Sequence, residues 1–519
     1  MNHRHRTRQH TDQPRNTDQP RNTDQPWIQQ CRISLACILF AVANFSIARG
    51  VQNDSQPLPT RPEITKALHG ATSFFRDHAS AHGGYVFQIS ADLSKREGEG
   101  SVTATTAWIE PPGTPAVGLA FLQAYRLCKD PILLEAARET AEALRQGQLE
   151  SGGWDNRIEF DTKERSKYAY RTETKATRKD KLRNTTTFDD NKSQSAIRFL
   201  MEIDVEVSYA DQPVHEAVLY ALNSVLKSQY PNGAWPQRFS EFPDPDLYPV
   251  MKASIPEQWS KKYPGKKYSE FYTLNDNTIC DLIDLLLDAA DIYQRSDYRD
   301  AACRGGDFLI LAQLPEPQPG WSQQYDKNMH PAWARKFEPP AITGGESQRV
   351  MRTLMRLYRR NMEHIENAER FLEPLNTAIP FYQRSELANG KLARFYELRT
   401  NRPLFFTKEY QLTYSSEDMP THYAFMVSSK LNSIEREFRT SRSLLKPELP
   451  QSKPNTQPKR TKALDTKVMT ILKNLDTRGA WVETGRLRYH GPNDTTTQVI
   501  RSDTFANNLI SLATWLGAE

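Results

Sequence analysis

Apolar residues along this chain recur at intervals of three and four in blocks of helical length, and glycine or proline punctuates the polar stretches between them. Residues 62–80 (PEITKALHGATSFFRDHAS) predict a first helix, ended at His82-Gly83-Gly84-Tyr85, where two glycines permit the turn. Residues 101–113 are β-branched and then broken by Pro111-Pro112-Gly113. Pro115 suits the first turn of a helix over 114–128, and Leu133, Leu134, Ala137, Ala141 and Leu144 approximate one stripe over 131–149. Further helices are predicted in QSAIRFLMEI, over 213–229, in TICDLIDLLLDAADIY, over 299–313, 345–360 and 362–375, in SSKLNSIEREFR, and over 463–475 and 503–516. Residues 391–405 (KLARFYELRTNRPLF) and the region near 496–500 read as extended.

The helix ends repeat. Gln148-Leu149-Glu150-Ser151-Gly152-Gly153-Trp154 closes one helix and Gln229-Tyr230-Pro231-Asn232-Gly233-Ala234-Trp235 closes another. A looser version runs from Gln313 to Trp321, Arg478-Gly479-Ala480-Trp481 follows a later helix, and Gly83-Gly84-Tyr85 is a shorter relative. Helix pairs repeated in this way cannot each bury an apolar face alone, so they stack. The expected fold is all-α: an α/α toroid, incomplete or of the (α/α)3 barrel type, with long irregular loops and minor β structure. The closing helix would complete the ring. At the turns, the flat rings suit either helix-end packing or a carbohydrate platform.

Composition narrows the classes. A formal charge of +5 over 519 residues is too small for a nucleic-acid binder, and it permits an acidic substrate. Five cysteines show no CxxC spacing, and Cys128, Cys280 and Cys303 fall in helical contexts that suit buried thiols. Residues 1–31 are polar, with RNTDQP repeated, and have no apolar face to bury, so disorder is expected. Over 32–48 a basic flank precedes an uncharged run ending in Ser46-Ile47-Ala48, the layout of a signal peptide. Export to the periplasm or outside the cell is expected, with a membrane tether if the leader is uncleaved. Residues 60–519 then form one catalytic domain, expected to be monomeric. It carries a basic loop at 161–183, expected as a solvated face, and a Pro-rich insert at 444–462.

Candidate chemistry concentrates in PAWARKFEPPAITGGE at 331–346 and in two acidic turns. Asp189 and Asp276 each follow an aromatic and threonine segment and precede a helix, and stacked helix pairs open equivalent loops on one face. An N-cap role explains either acid alone. With Glu338, Glu346, Arg335, Arg394 and Arg402 they leave three chemistries open. Paired carboxylates can hydrolyse a glycoside. Oxygen ligands can hold Ca²⁺. Arginines with Ca²⁺ can grip a polyuronate and stabilise proton abstraction beside its carboxylate. No HExxH, GxSxG, Walker A or dinucleotide-binding glycine pattern stands in a supporting context.

In TTFDDNKSQSAIRFL, QYPNGAWPQ, FYTLNDNTICDLIDLLLDAA, PAWARKFEPPAITGGES and LARFYELRTNRPLF, taken in order, the chain resembles the pectate lyases of polysaccharide lyase family 10, the pectic acid lyase family. The resemblance implies an α/α toroid and calcium-dependent β-elimination on polygalacturonate, an acidic polysaccharide. It implies Arg335 as the base for the C5 proton, Asp189 and Asp276 as calcium ligands, and Arg394 and Arg402 as clamps on substrate carboxylates. Trp333 and Lys192 are further candidate substrate contacts. The turn FDDNKS departs from a smaller Gly-containing turn common in the family, and YSSEDMPTHYAFM replaces an aromatic, glycine-rich stretch. The rival readings are a glycoside hydrolase on the same architecture and a non-catalytic carbohydrate-binding protein.

Overall fold

Each repeated turn pins the end of its own helix. The indole N–H of Trp154 donates to the Leu144 carbonyl at 2.8 Å, Trp235 to Val225 at 2.9 Å, Trp321 to Leu309 at 2.8 Å and Trp481 to Ile471 at 3.0 Å. All four indoles are buried. They satisfy carbonyls that a helix C-terminus leaves without intrahelical partners, so these rings are packing elements and not sugar platforms. Three of these turns open with a glutamine that reaches further. Gln148 bridges the carbonyls of Gly152 and Ala217, Gln229 those of Gly233 and Ala301, and Gln313 those of Pro319 and Pro374. One side chain thus joins its own turn to the next helix pair. Gly233 allows the close approach: its φ is +91°, and a Cβ there would stand 1.9 Å from the Arg304 carbonyl oxygen.

The computed structural model describes residues 58–173, 181–265, 268, 271–444, 446–447 and 458–518. The helices are α1 (Arg61–Phe74), α2 (Thr114–Cys128), α3 (Pro131–Gln146), α4 (Thr162–Arg165), α5 (Lys192–Glu206), α6 (Gln212–Lys227), α7 (Thr278–Tyr293), α8 (Ser296–Leu311), α9 (Glu346–Asn361), α10 (Leu375–Arg384), α11 (Leu431–Arg442), α12 (Lys462–Lys473) and α13 (Ser502–Gly517). Helices α13, α2, α5, α7 and α9 pack in series, and α3, α6 and α8 pair with α2, α5 and α7. The row begins with α1 and α12 against α13 and ends with α11 against α9. This is an α/α toroid with minor β structure and no closed sheet among the described residues. No described helix is long and apolar enough to cross a membrane.

Two sheets tie the ends and the site. Gln498–Arg501 pairs antiparallel with Gln88–Ser90, with Ile89 opposite Ile500, so the last repeat is sewn to the first. Ala341–Thr343, Phe395–Glu397, Pro403–Phe406 and Leu412–Thr413 form a second sheet, and Lys391–Ala393 pairs separately with Met426–Ser428. The segment 391–405, expected to be extended throughout, turns back between its strands, where Arg399 and Asn401 have φ of +74° and +56°. Between helices α5, α7, α8 and α9 runs a ladder of charge. Asp281, Asp284, Asp288 and Asp291 of α7 meet Arg349, Arg356 and Arg360 of α9, Arg198 of α5 and Arg299 of α8.

One predicted helix does not form. Over 362–375 the chain makes only a short 3-10 turn, Ala368–Phe371, before α10. Asn367 sits at φ +58°, outside the helical region, and Pro374 has no N–H to continue a ladder. Cys280 and Cys303 are buried and Cys128 is half-buried, all as free thiols. The polar extension 1–31 and the leader 32–48 lie outside the described residues, as do 174–180 of the basic loop and most of the insert 444–462.

Candidate functional site

The two acidic turns have one backbone. Thr187 and Thr273 close short strand pairs, and their hydroxyls accept the N–H two residues on, from Asp189 and from Asn275, both at 3.2 Å. Asp190 and Asn191 then adopt φ of +50° and +57°, and Asp276 and Asn277 adopt +49° and +60°. Aspartate and asparagine enter this left-handed region more readily than other non-glycine residues. The third inner helix follows suit: the Thr343 hydroxyl accepts from Gly345 N at 3.2 Å, and Glu346 opens α9. Asp276 is therefore the structural counterpart of Asp190, and Asp189 that of Asn275. The N-cap positions of α5 and α7 are Asn191 and Asn277, and neither makes a side-chain cap bond.

The turns meet. The 3-10 segments Asp189–Asn191 and Asn275–Asn277 pack together, and the second also touches α9. One oxygen each from Asp189, Asp190 and Asp276 lies within 4.8 Å of the others. Three carboxylates at that spacing suit a hard divalent cation with oxygen ligands. Asp189 is buried and holds the Gln237 amide at 2.9 Å and the Arg238 guanidinium at 2.8 Å. The positive ends of α5 and α7 also point here, which favours anionic groups.

From Asp276 a hydrogen-bond chain leads to Arg335. The Asn275 amide donates to Asp276 Oδ2 at 2.6 Å, Gln323 donates to Asn275 Oδ1 and at 3.2 Å to Glu338 Oε1, and Tyr423 donates to the same oxygen at 3.2 Å. Glu338 takes Arg335 in a fork, through Nε at 2.8 Å and through Nη2, and also accepts Arg335 N at 3.0 Å. Nη1 makes no hydrogen bond or ion pair among the described residues. The guanidinium lies over Phe337 at 5.0 Å and Tyr423 at 5.8 Å, with its side chain 22% exposed. Burial works against its charge, but the Glu338 carboxylate outweighs that, and its pKa moves up. Glu338 is fully enclosed, which raises its pKa, yet Arg335 reverses the sign and holds it below the ordinary value.

Of the other candidates, Arg394 joins this group. Its Nη1 donates to Glu346 at 2.9 Å, its Nε to the Ala424 carbonyl at 2.7 Å, and Tyr423 lies 4.7 Å beneath it. Asp276 acts electrostatically on both Arg335 and Arg394. Trp333 is mostly buried, its indole N–H on the Ser260 carbonyl at 2.8 Å. Arg402 is exposed and stacks on Tyr414 at 3.5 Å, beside the Lys261–Glu397 pair. Lys192 is not placed to offer its ammonium to solvent. It is 1% exposed, and Nζ stands 2.9 Å from Glu110 and 3.0 Å from Asp190.

The Pectic acid lyase family matches residues 148–423, more than half of the chain and every residue of the Asp276–Arg335–Tyr423 network. The chain belongs to the pectic acid lyase family. Among solved structures it is similar to a family 10 polysaccharide lyase from Cellvibrio cellulosa, at 21% identity over 59% of this chain and 92% of that one, TM-score 0.42. A mutant of such a lyase from the same organism, in complex with trigalacturonic acid, matches at 20% identity over 63% and 98%, TM-score 0.43. A GH76 alpha-mannanase from Bacteroides thetaiotaomicron matches at 10% over 88% and 95%, TM-score 0.39. No curated protein matches.

In this pectic acid lyase family member, sequence reasoning missed Asp190, Glu110, Gln323 and Tyr423 as members of the site. Asp190 had a signal, the Asp-Asn pair shared with Asp276-Asn277. Glu338 was visible three residues after Arg335. Gln323 and Tyr423 had none, because they meet Glu338 only through the fold.

Proposed function

We propose that this protein cleaves polygalacturonate or a related polyuronate by β-elimination, acting as a secreted or periplasmic lyase. The observation that carries the reading is the hydrogen-bonded path from the acidic turns to a mostly buried guanidinium with one open nitrogen. Arg335 would first give up one Nη1 proton to solvent, and the neutral guanidine would then take the C5 proton on that nitrogen. As that C–H bond breaks, its electron pair forms the C4–C5 double bond, and the C4–O4 bond breaks with its electrons on the leaving oxygen, which is protonated from water. Glu338 and the Phe337 and Tyr423 rings hold the guanidinium plane still, so the open nitrogen keeps one aim. Arg394 and Arg402 would receive uronate carboxylates, since a guanidinium matches a carboxylate in two parallel hydrogen bonds.

Arginine is a demanding base because its solution pKa exceeds about 12, and Glu338 raises it further. Asp189, Asp190 and Asp276 fit a calcium ion, which would supply positive charge at a substrate carboxylate, acidifying C5 and disfavouring a second positive charge on Arg335. The test is incubation with polygalacturonate, with and without Ca²⁺, read by ultraviolet absorbance of the new conjugated double bond. Absorbance that rises only with Ca²⁺ supports the reading. New reducing ends without absorbance would instead mean hydrolysis by the paired carboxylates, and binding with no product would mean a non-catalytic role.

A further inference from the structure

The acidic turn belongs to two overlapping triads. Besides Asp189, Asp190 and Asp276, one oxygen each from Glu99, Glu110 and Asp190 lies within 4.8 Å of the others. The first triad meets the Arg238 guanidinium at Asp189 Oδ2, 2.8 Å away, whereas the second holds an enclosed ammonium between two of its members. Lys192, the first residue of α5, is 1% exposed, and its ammonium reaches Glu110 Oε2 at 2.9 Å and Asp190 Oδ2 at 3.0 Å. Glu99 and Asp189 also act on it electrostatically. An ammonium enclosed in this way is held only by its carboxylates, because a buried lysine without partners would lose its proton. It stands where a cation bridging Glu110 and Asp190 would stand. A divalent ion entering the same triad would have to displace a covalently tethered charge, or sit beside it against direct repulsion.

We propose that the Lys192 ammonium is the resident cation of the Glu99–Glu110–Asp190 triad and closes it to divalent ions. The proposal deepens the lyase reading, on which its second half rests: a divalent ion is confined to Asp189, Asp190 and Asp276, with Asp190 fixed at one oxygen by the lysine.

The test is Ca²⁺ titration by calorimetry of the whole protein without substrate, comparing wild type, Lys192→Met, Glu110→Gln and the double variant. Lys192→Met should bind one more Ca²⁺ than wild type, and its melting temperature should rise with Ca²⁺ by more than that of wild type. The double variant should return to the wild-type number, because the new site has lost a carboxylate. Glu110→Gln in the wild-type background should lose no ion. A folded Lys192→Met protein with an unchanged ion count overturns the proposal. So does the loss of an ion in Glu110→Gln, a result that remains readable if Lys192→Met fails to fold. Failure of the lyase reading appears separately, as absence of unsaturated product whatever the ion count.

Discussion

Asp190 and Asp276 occupy the same position in two successive turns, with φ of +50° and +49°, each one residue ahead of a left-handed asparagine and an inner helix. The pairing sets Asp190 rather than Asp189 as the partner of Asp276. Asp189 is drawn inward by Gln237 and Arg238. Asp276→Asn should therefore weaken calcium binding by at least about tenfold, the loss that changing a ligand's outer partner already causes. Asp190→Asn should weaken it too, and calorimetry on the two variants checks this.

Arg335→Ala should lower kcat by about 10² to 10⁴, the usual contribution of a positioned proton acceptor. The fold should survive. Arg335→Lys should recover little, because an ammonium cannot take Glu338 in a fork and keep a nitrogen open. Ultraviolet assay of both variants, with circular dichroism as a check on folding, distinguishes loss of chemistry from loss of structure.

Glu338 links charge state to stability. In the wild type its pKa is depressed below the ordinary 4.5, so its contribution is present above about pH 4.5 and is lost as the pH falls through the folded value. Replacing Arg335 by Met leaves burial as the dominant influence, and the Glu338 pKa then rises above its unfolded value. That group would be best tolerated at low pH and would cost stability as the pH rises past 4.5. The melting-temperature gap between wild type and Arg335→Met should widen from acid to neutral pH. A gap that narrows would reject the pairing.

The repeat turns should be costly to alter although they lie away from the chemistry. Trp235→Ala should destabilise by about 3–5 kcal/mol, as removal of a buried aromatic does. Gln229→Ala strips the bonds to the Gly233 and Ala301 carbonyls, at about 1–3 kcal/mol for each group left buried without a partner. Denaturant unfolding measures both, and polyuronate cleavage by the surviving folded fraction should be unchanged.

Much of the architecture was legible along the chain. Helix α2 falls on the predicted 114–128, and α9, α12 and α13 begin or end within a residue or two of the expected bounds. The Gln to Trp turns announced a stacked array. The 362–375 stretch misled because its apolar spacing is helical while Asn367 and Pro374 interrupt the backbone, and only the φ value shows the first of these. Arg335 and Glu338 could be paired on paper, being three residues apart.

Side-chain periodicity reports which face of a segment must be buried, and that is a local property. It determined the helices, their stacking, and the presence of acids and an arginine in the connecting turns. Which of those groups touch depends on how each helix pair is rotated against the next, and that is set by contacts such as Gln229 with Ala301, or Gln323 with Tyr423 across 100 residues. Tertiary packing alone therefore decided that Asp190 stands opposite Asp276, that Glu338 clasps the guanidinium, and that Lys192 points inward to a nest of carboxylates.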